Sequence, residues 1–426
     1  MLKKMLLNLL AIVSINFAQL DKTGNVIFIH PDGTSLADWN ALRIIDAGPD
    51  SEINWDKLSG IGLYQGHTKN RITSSSNAGA TIHAYGIKVN YESFGMDGDE
   101  IPLARSGKRM SIMKESIQNK LFTGIINSGS IIEPGTAVFV VSEKKRSMSE
   151  SITKKVIESG VDLIFSGGEE WMLPKGTAGR FVESGKRTDA INLIESAKKL
   201  GYKIIYTKDE LKNTSPKEKK VLGVFAAVNT FNDYTEEEQK EKGLKNYFET
   251  APTLKEMLDY ALKFFSDKGQ FFLVVEEEGT DNFGNKNNAQ AKLEALKRAD
   301  DAIGSALEFI NRNPNTLLIT AADSEAGGLE IVNSGSLTEN QPMPKSDKNG
   351  APIDGIEGSG TLPFYSAPDK NGKRFPFGIA WSTIEDVYGS VIARAEGLNS
   401  DKMKGKIDNT DVYRIMYLTL FGKWLQ

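Results

Sequence analysis

Three apolar segments of this chain end in acidic residues, and this pattern constrains the fold more than any other feature of the sequence. The segments are NVIFIHPDG at 25–33, FFLVVEEEGTD at 271–281 and TLLITAADSEAGG at 316–328. Apolar runs of this kind are typical of buried strands in a parallel sheet, whose carboxyl ends meet at one edge. Acids at buried strand ends need partners, and metal cations are suitable ones. The pattern therefore predicts a metal site at the edge of a parallel sheet.

The rest of the chain alternates between strand-like and helix-like segments. Strands are predicted near 25–30, 121–127, 161–166, 203–206, 220–226, 270–276, 316–320 and 387–394. Helices are predicted near 76–86, 150–158, 188–199, 253–266, 288–311 and 409–421. This order favours an α/β fold with a doubly wound, mostly parallel central sheet flanked by helices. Residues 331–380 interrupt the alternation with many Gly, Pro, Asn and Ser residues, so we predict a long loop insertion over the carboxyl edge.

The N-terminal residues 1–18 read as a secretory signal peptide, with two lysines, a short apolar run and Ala18 as the cleavage point. A single membrane anchor is the alternative. Cleavage would leave residues 19–426 as one domain in the periplasm or outside the cell, without a stable membrane anchor. It would remove Lys3, Lys4 and no acid, so the net charge of −4 would become −6, which disfavours nucleic-acid binding. The chain has no cysteine, so no disulfide can form.

The segment RITSSSNAGATIHAYGIKVNY at 71–91 places a serine cluster before a helix-like run. Ser76 would then lie at a helix N-terminus, where free backbone amides and the helix dipole favour a phosphate oxygen. The alternative is that the serine only caps the helix and that the small residues serve close packing. The segment alone leaves both interpretations open.

Taken together, these motifs resemble the alkaline phosphatase family. The Asp-Gly after the first strand, the serine ten residues before the Gly of Gly-Ile-Lys and the block Asp-Ser-Glu-Ala-Gly-Gly occur in the family's order. An ungapped alignment places SSNAGATIHAYGIK at 75–88 on the family motif Asp-Ser-Ala-Ala-Gly-Ala-Thr, with Ser76 at the nucleophile and Ser75 in place of its acidic neighbour. The resemblance implies the family's fold with a crown-type insertion, and hydrolysis of phosphate monoesters through a phosphoserine intermediate.

The resemblance also implies roles for individual residues. Asp32 would bridge two metals, and Arg146 would clamp the substrate phosphate, the alternative being one more solvated charge. The other implied metal ligands are Glu133, Thr136, Glu276, Glu278, Asp281, Asn285, Asp323, Ser324 and Asp386.

Two of these ligand assignments stay open. The family's threonine ligand falls on Gly135, so Thr136 replaces it only if the loop shifts. The alignment selects Glu276, but Glu278 lies on the same side of an extended strand. Glu277 between them is expected to be a surface or structural residue.

The family's three histidine zinc ligands are missing from this sequence. Their positions hold Asn285, Ser324 and Asp386, and the chain's own histidines fall elsewhere. These histidines are His30, His67 and His83. Oxygen ligands suit hard cations, so we predict that the site binds Mg²⁺, with Mn²⁺ or Ca²⁺ as alternatives. We expect Zn²⁺ to bind less well.

The resemblance implies a small-molecule phosphate ester as substrate, and it leaves a homodimer open because many relatives are dimers. A phosphodiesterase of the same superfamily is one alternative, and a non-catalytic secreted protein that binds Ca²⁺ through its acids is another. A sulfatase is disfavoured, because SSNAG lacks the proline and arginine of the sulfatase motif Cys/Ser-x-Pro-x-Arg.

Overall fold

The computed structural model of the protein describes residues 22–332, 337 and 340–426, so the predicted signal peptide lies outside the described residues. The strands are β1 (Asn25–Pro31), β2 (Gly60–Gln65), β3 (Phe122–Ser130), β4 (Leu163–Gly167), β5 (Tyr202–Ile205), β6 (Lys220–Val224), β7 (Phe271–Glu277), β8 (Thr316–Thr320), β9 (Glu325–Ala326), β10 (Leu329–Val332), β11 (Ile353–Gly355), β12 (Gly358–Ser359), β13 (Phe364–Tyr365), β14 (Pro376–Trp381), β15 (Asp386–Val387), β16 (Ile392–Gly397) and β17 (Lys404–Asp408).

An α-helix follows each of the strands β1 to β7 and β17. The helices are α1 (Leu36–Asp46), α2 (Ser76–Tyr85), α3 (Ile112–Gln118), α4 (Pro134–Ala137), α5 (Ser149–Ile157), α6 (Leu193–Lys199), α7 (Lys208–Asn213), α8 (Glu236–Lys242), α9 (Leu254–Ser266), α10 (Gly279–Asn285), α11 (Ala289–Arg312) and α12 (Asn409–Phe421). None of the helices in the described part of the chain is long and apolar enough to cross a membrane.

The main sheet contains ten strands in the order β17-β2-β16-β8-β1-β7-β3-β4-β6-β5. Neighbouring strands are parallel except at β16, which runs antiparallel to β2 and β8. Alternate residues of β1 enter opposite layers: Val26 and Phe28 join one core, while Ile27 and Ile29 join the other. The predicted doubly wound, mostly parallel sheet is confirmed, and burial on both faces explains the unbroken apolar runs.

The region predicted as a loop insertion at 331–380 contains a second, smaller sheet. Strands β10, β14, β11 and β12 pair in that order, and β13 also pairs with β14, all antiparallel. These strands were not predicted from the sequence, because runs of two to six residues carry little periodicity. Phe377, Ile379 and Trp381 share a core with Trp39 of α1, the helix that follows β1. The insertion therefore packs beside the carboxyl edge of the main sheet.

Two other predicted elements have different bounds. The helix predicted at 188–199 begins only at Leu193, because the Asn192 side chain caps it by accepting from the Glu195 amide (3.1 Å). The strand predicted at 387–394 is two elements, β15 and β16, in different sheets. Strands β2 and β17, at the end of the main sheet, were not predicted.

Candidate metal centre

Four adjacent parallel strands, β8, β1, β7 and β3, set the position of the site. Each ends at the same edge of the sheet and delivers an acid there. Asp32 follows β1, the acids 276–278 lie at the end of β7, Asp323 follows β8 and Glu133 follows β3. The fold thus gathers the strand-end acids predicted from the sequence.

A first cluster surrounds Asp32, which is fully buried. His30, Asp32 and Asp323 each offer a ligand atom within 4.8 Å of the others. One carboxylate oxygen of Asp32, Oδ1, accepts one hydrogen bond, from the Gly33 amide (2.8 Å). The Oδ2 atoms of Asp32 and Asp323 are buried and have no hydrogen-bond partner among the described residues. Ser324 donates to the other oxygen of Asp323 (3.1 Å), so it adjoins the same cluster.

A second cluster joins Asp32 to Glu276 and Glu278, whose ligand atoms also lie within 4.8 Å of one another. Glu276 Oε1 and Glu278 Oε2 are buried without a partner in the described part of the chain. The intervening Glu277 faces away and is fully buried, where it pairs with Arg298 (3.1 Å) and accepts from Ser128 (3.0 Å). Glu277 is therefore structural, and both of its neighbours approach Asp32.

The crowding of these acids raises their pKa values. Burial, with the charges of Asp32 and Glu133, raises the pKa of Glu276 to about 8 against the opposing effect of His30. Burial, the largest cause, also raises the pKa of Glu278, Asp281 and Asp323 well above the usual range. Buried carboxylates whose oxygens lack hydrogen-bond partners among the described residues are suited to divalent cations, so the residues present fit metal binding.

A third group of side chains, which offer oxygen atoms as metal ligands, lies beside the first two clusters. Asn285 of α10 donates from Nδ2 to Asp281 Oδ2 (3.1 Å) and to Asp386 Oδ1 (3.2 Å). Asp386 reaches this group because β15 pairs with β9 and sets Asp386 opposite Ala326. Gly33, at φ 63°, allows the approach, since a Cβ there would lie 2.7 Å from Asp281 Oδ1. The structure thus brings together three of the side chains that were predicted as metal ligands.

Ser76 is the first residue of α2 and is 8% exposed. Its neighbour Ser75 is the cap: the Ser75 hydroxyl accepts from the Ala78 amide (3.3 Å) and donates to the Tyr91 carbonyl. Gly79 lies one turn after Ser76, and a Cβ there would lie only 2.2 Å from Asp323 Oδ2. Residues three apart share a helix face, so Ser76 lies on the side of α2 that contacts the first cluster.

Arg146 lies at the outer side of the site. Its guanidinium donates from Nη2 to the Glu133 carboxylate, and its side chain is 45% exposed. The negative charge of Glu133 raises the pKa of Arg146 despite opposing burial, and Glu278 and Asp281 add to the effect. Arg146 is therefore oriented towards the acids while part of its donor surface stays accessible.

Thr136 lies behind Glu276. Its hydroxyl accepts from Asn127 Nδ2 (3.0 Å), and the same amide donates to Glu276 Oε2. Position 135 faces the carboxylate more directly, since a Cβ on Gly135 would lie 1.8 Å from Glu276 Oε1. The predicted role of Thr136 as a ligand stays a prediction.

His30 and Lys292 are two residues of the site that were not predicted from the sequence. His30 Nε2 lies 3.3 Å from Asp32 Oδ1. Lys292 is fully buried, and its ammonium contacts the Gly33 carbonyl (3.1 Å), the Ala326 carbonyl (2.8 Å) and Asp38 (3.0 Å). It thus joins the turns that follow β1 and β8. A lysine within the apolar stripe of α11 was the signal that could have found it.

His83 is a packed, buried residue. Tyr64 O–H lies 2.7 Å from His83 Nε2, and the ring packs edge-on against His30 with centroids 5.8 Å apart. Burial lowers the pKa of His83 well below its usual value, so the ring is neutral.

Metal stabilisation is expected to increase with pH. In the metal-free folded protein, the pKa of Glu276 is about 8, compared with its ordinary value of 4.5. Burial lowers the pKa of His30, but the charge of Asp32 outweighs it and raises this pKa from 6.5 to about 10. The folded chain then binds more protons than the unfolded chain, so its stability falls as pH rises between those values. Cations replace these protons, so the gain in melting temperature on adding Mg²⁺ or Mn²⁺ to chelator-treated protein should grow from about pH 5 to about pH 9. Scanning fluorimetry at matched ionic strength measures this, and a gain independent of pH would contradict it.

Comparisons with known proteins agree with this fold and show the family of the chain. A family model described as "Alkaline phosphatase" matches residues 23–361, and the chain belongs to the alkaline phosphatase family. It is 23% identical to alkaline phosphatase 4 of Bacillus subtilis, over 93% of this chain and 88% of the relative. It is also 23% identical to alkaline phosphatase of Gadus morhua, over 73% of this chain and 71% of the relative.

Solved structures show the same fold. The alkaline phosphatase of the Antarctic bacterium TAB5 aligns with a TM-score of 0.70 at 22% identity, covering 94% of this chain and 100% of that one. The Thermus thermophilus enzyme aligns with a TM-score of 0.72 at 21% identity, covering 95% of this chain and 92% of that one. A histidine-to-glutamate variant of the TAB5 enzyme, solved with Mg bound in the M3 site, gives a TM-score of 0.69 at 21% identity and covers 95% of this chain and 99% of that one. Family membership supports a phosphohydrolase activity that uses divalent metals.

Proposed function

We propose that this protein is a secreted, metal-dependent phosphomonoesterase that uses Ser76 as its nucleophile. The observation that carries the proposal is the set of unpartnered buried oxygens on Asp32, Asp323 and Glu276 beside the helical turn that begins at Ser76. Divalent cations bound there would supply positive charge that lowers the pKa of a nearby hydroxyl or water and stabilises the developing charge on phosphate.

Three groups of residues would hold these cations. Asp32, Asp323 and Ser324 form one group, and Asp281, Asn285 and Asp386 form the second. The third group is Glu133, Thr136, Glu276 and Glu278. A histidine-to-glutamate variant of the TAB5 enzyme has Mg bound in its M3 site. This supports Mg²⁺ as the ion beside an acid such as Glu133.

Ser76 would attack phosphorus in line with the leaving oxygen. The Ser76 hydroxyl proton passes to solvent, the bond from Oγ to phosphorus forms as the ester bond breaks, and the leaving oxygen takes a proton from solvent to give the alcohol. Water then hydrolyses the phosphoserine, which restores the serine hydroxyl and releases inorganic phosphate. The position of Ser76 in the first turn of α2 supports this role, because free amides there attract phosphate oxygens.

Arg146 would bind two equatorial phosphate oxygens through parallel N–H groups. Its partial exposure and its orientation towards Glu133 and Glu278 support this role. Export would follow from the signal peptide predicted at residues 1–18.

The proposal is tested by comparing p-nitrophenyl phosphate with bis(p-nitrophenyl) phosphate as substrates. Chelator-treated protein should be inactive, and Mg²⁺, Mn²⁺, Ca²⁺ or Zn²⁺ is added back separately. We expect recovery of monoester hydrolysis well above diester hydrolysis. Faster diester hydrolysis would instead identify a phosphodiesterase, and no hydrolysis with any ion would identify a non-catalytic metal-binding protein.

Arg146→Lys is expected to weaken monoester hydrolysis by about 2 kcal/mol, roughly 30-fold in kcat/KM, because lysine cannot donate two parallel hydrogen bonds. The loss on a diester should be smaller, since a diester has one fewer charged oxygen. The exposed neighbour Lys145 provides the matched control, as Lys145→Ala should change neither rate. Equal losses on both substrates would show that Arg146 is not the phosphate clamp.

A further inference from the structure

The ring of His30 is fixed in one tautomer by a backbone carbonyl at the end of the adjacent strand, β8. Nδ1 lies 2.7 Å from the carbonyl oxygen of Ala321, and a carbonyl can only accept, so Nδ1 carries a hydrogen. In the neutral ring, Nε2 then presents a lone pair. This arrangement, with one ring nitrogen held by a backbone carbonyl, is the usual support of a metal-ligating histidine.

The Nε2 atom of His30 faces the acids of the first cluster. It lies 3.3 Å from Asp32 Oδ1, and together with Asp323 these residues form a set with ligand atoms within 4.8 Å of one another. His30 is 1% exposed, and Nε2 and the Oδ2 atoms of Asp32 and Asp323 are buried without hydrogen-bond partners in the described ranges. These ligand atoms therefore converge on one buried position, where a cation that displaces the Nε2 proton would be held by all three side chains.

The spacing agrees with ligation of a single ion. Two ligand atoms bound at about 2.1 Å to one tetrahedral metal lie about 3.4 Å apart, which is close to the 3.3 Å between His30 Nε2 and Asp32 Oδ1. The family's own histidine positions hold Asn285, Ser324 and Asp386 here, so His30 is a nitrogen donor at a different place in the site.

We propose that His30 ligates a divalent metal through Nε2 together with Asp32 and Asp323. The inference rests on the proposed metal centre and adds that its metal positions differ in the type of ligand atom. The first cluster contains nitrogen and oxygen ligand atoms, which favour Zn²⁺ or Co²⁺, whereas the groups around Asp281 and Glu276 contain oxygen ligand atoms only, which favour Mg²⁺ or Mn²⁺. The holoenzyme would thus contain two kinds of cation.

The first test is X-ray absorption on chelator-treated protein loaded with one equivalent of Zn²⁺. Wild type should show the outer-shell scattering of one imidazole, and His30→Gln should lose it and bind Zn²⁺ at least ten-fold more weakly. The control is His67→Gln, because His67 is exposed and should leave both results unchanged. Imidazole scattering that persists in His30→Gln would overturn the proposal, as would its loss in His67→Gln.

The second test uses wild-type protein only, in case His30→Gln does not fold. In ¹⁵N spectra of histidine-labelled protein, one equivalent of Zn²⁺ should shift the Nε2 resonance of a buried histidine and leave its Nδ1–H proton in place. An unchanged pair of buried resonances would mean that His30 only pairs with Asp32 as an imidazolium ion. Both tests measure metal binding and not hydrolysis. They can therefore be interpreted even if the protein is not a phosphomonoesterase, and a negative result in them would not change the outcome of the hydrolysis assay.

Discussion

Ser76→Ala is expected to lower kcat for a phosphate monoester by on the order of a thousand-fold, about 4 kcal/mol, without changing the fold or the bound metal. The hydroxyl supplies the bond to phosphorus, and no other group of the first turn of α2 can replace it in the same position. Steady-state kinetics measure the loss, and acid quenching with labelled substrate should trap phosphate on Ser76 in the wild type and none in the variant.

The adjacent serines provide the controls. The Ser74 hydroxyl only donates to the Ser75 carbonyl (3.2 Å), so Ser74→Ala should keep most of the turnover. Ser75 caps α2, and Ser75→Ala should lower stability by about 1 kcal/mol with a smaller effect on kcat. Turnover by Ser76→Ala close to the wild-type rate would exclude the covalent mechanism.

The central strands and the acids that follow them could be predicted from the sequence, because their local residue pattern matches their place in the folded sheet. The buried runs at 25–30, 270–276 and 316–320 could be predicted as central strands because both faces of the sheet are covered, and the acids after them mark the carboxyl edge. The alternation of a strand also placed Glu276 and Glu278 on one side and Glu277 on the other. These inferences depend only on residues close together in the chain.

The remaining features depend on distant pairings. Asp386 reaches Asn285 only because β15 pairs with β9, and no local signal reports that contact. The role of His30 depends on Ala321 at the end of another strand, and that of Lys292 on carbonyls from two separate turns. Alignment to the family's histidine positions could not point to His30, which lies at a different place in the chain. The oxygen-only ligand set predicted from the sequence stays a prediction, and the proposed ligation by His30 would add a nitrogen donor to it.

Asp32→Asn is expected to abolish hydrolysis and to separate metal binding from folding. Asp32 belongs to both candidate clusters, so its loss weakens two cation positions at once. The amide keeps the shape of the side chain but removes the charge and presents N–H donors that repel a cation. Activity should fall by at least about a thousand-fold, or 4 kcal/mol, even at metal concentrations that saturate the wild type.

The same substitution should have a different effect on stability with and without metal. Metal at about 100 times its dissociation constant should stabilise the wild type by about 2.7 kcal/mol, and the variant should gain far less. Without metal, the variant loses the contact to His30 but also loses a charge that raises the pKa of Glu276 and Asp323, so its stability should depend less on pH. Asp56→Asn is the matched control: Asp56 pairs with Arg43 outside the site, so this change should lower both melting temperatures and preserve the gain from metal. If Asp32→Asn gained as much from metal as Asp56→Asn does, Asp32 would not be the shared ligand, and the acids at this sheet edge would need a different explanation.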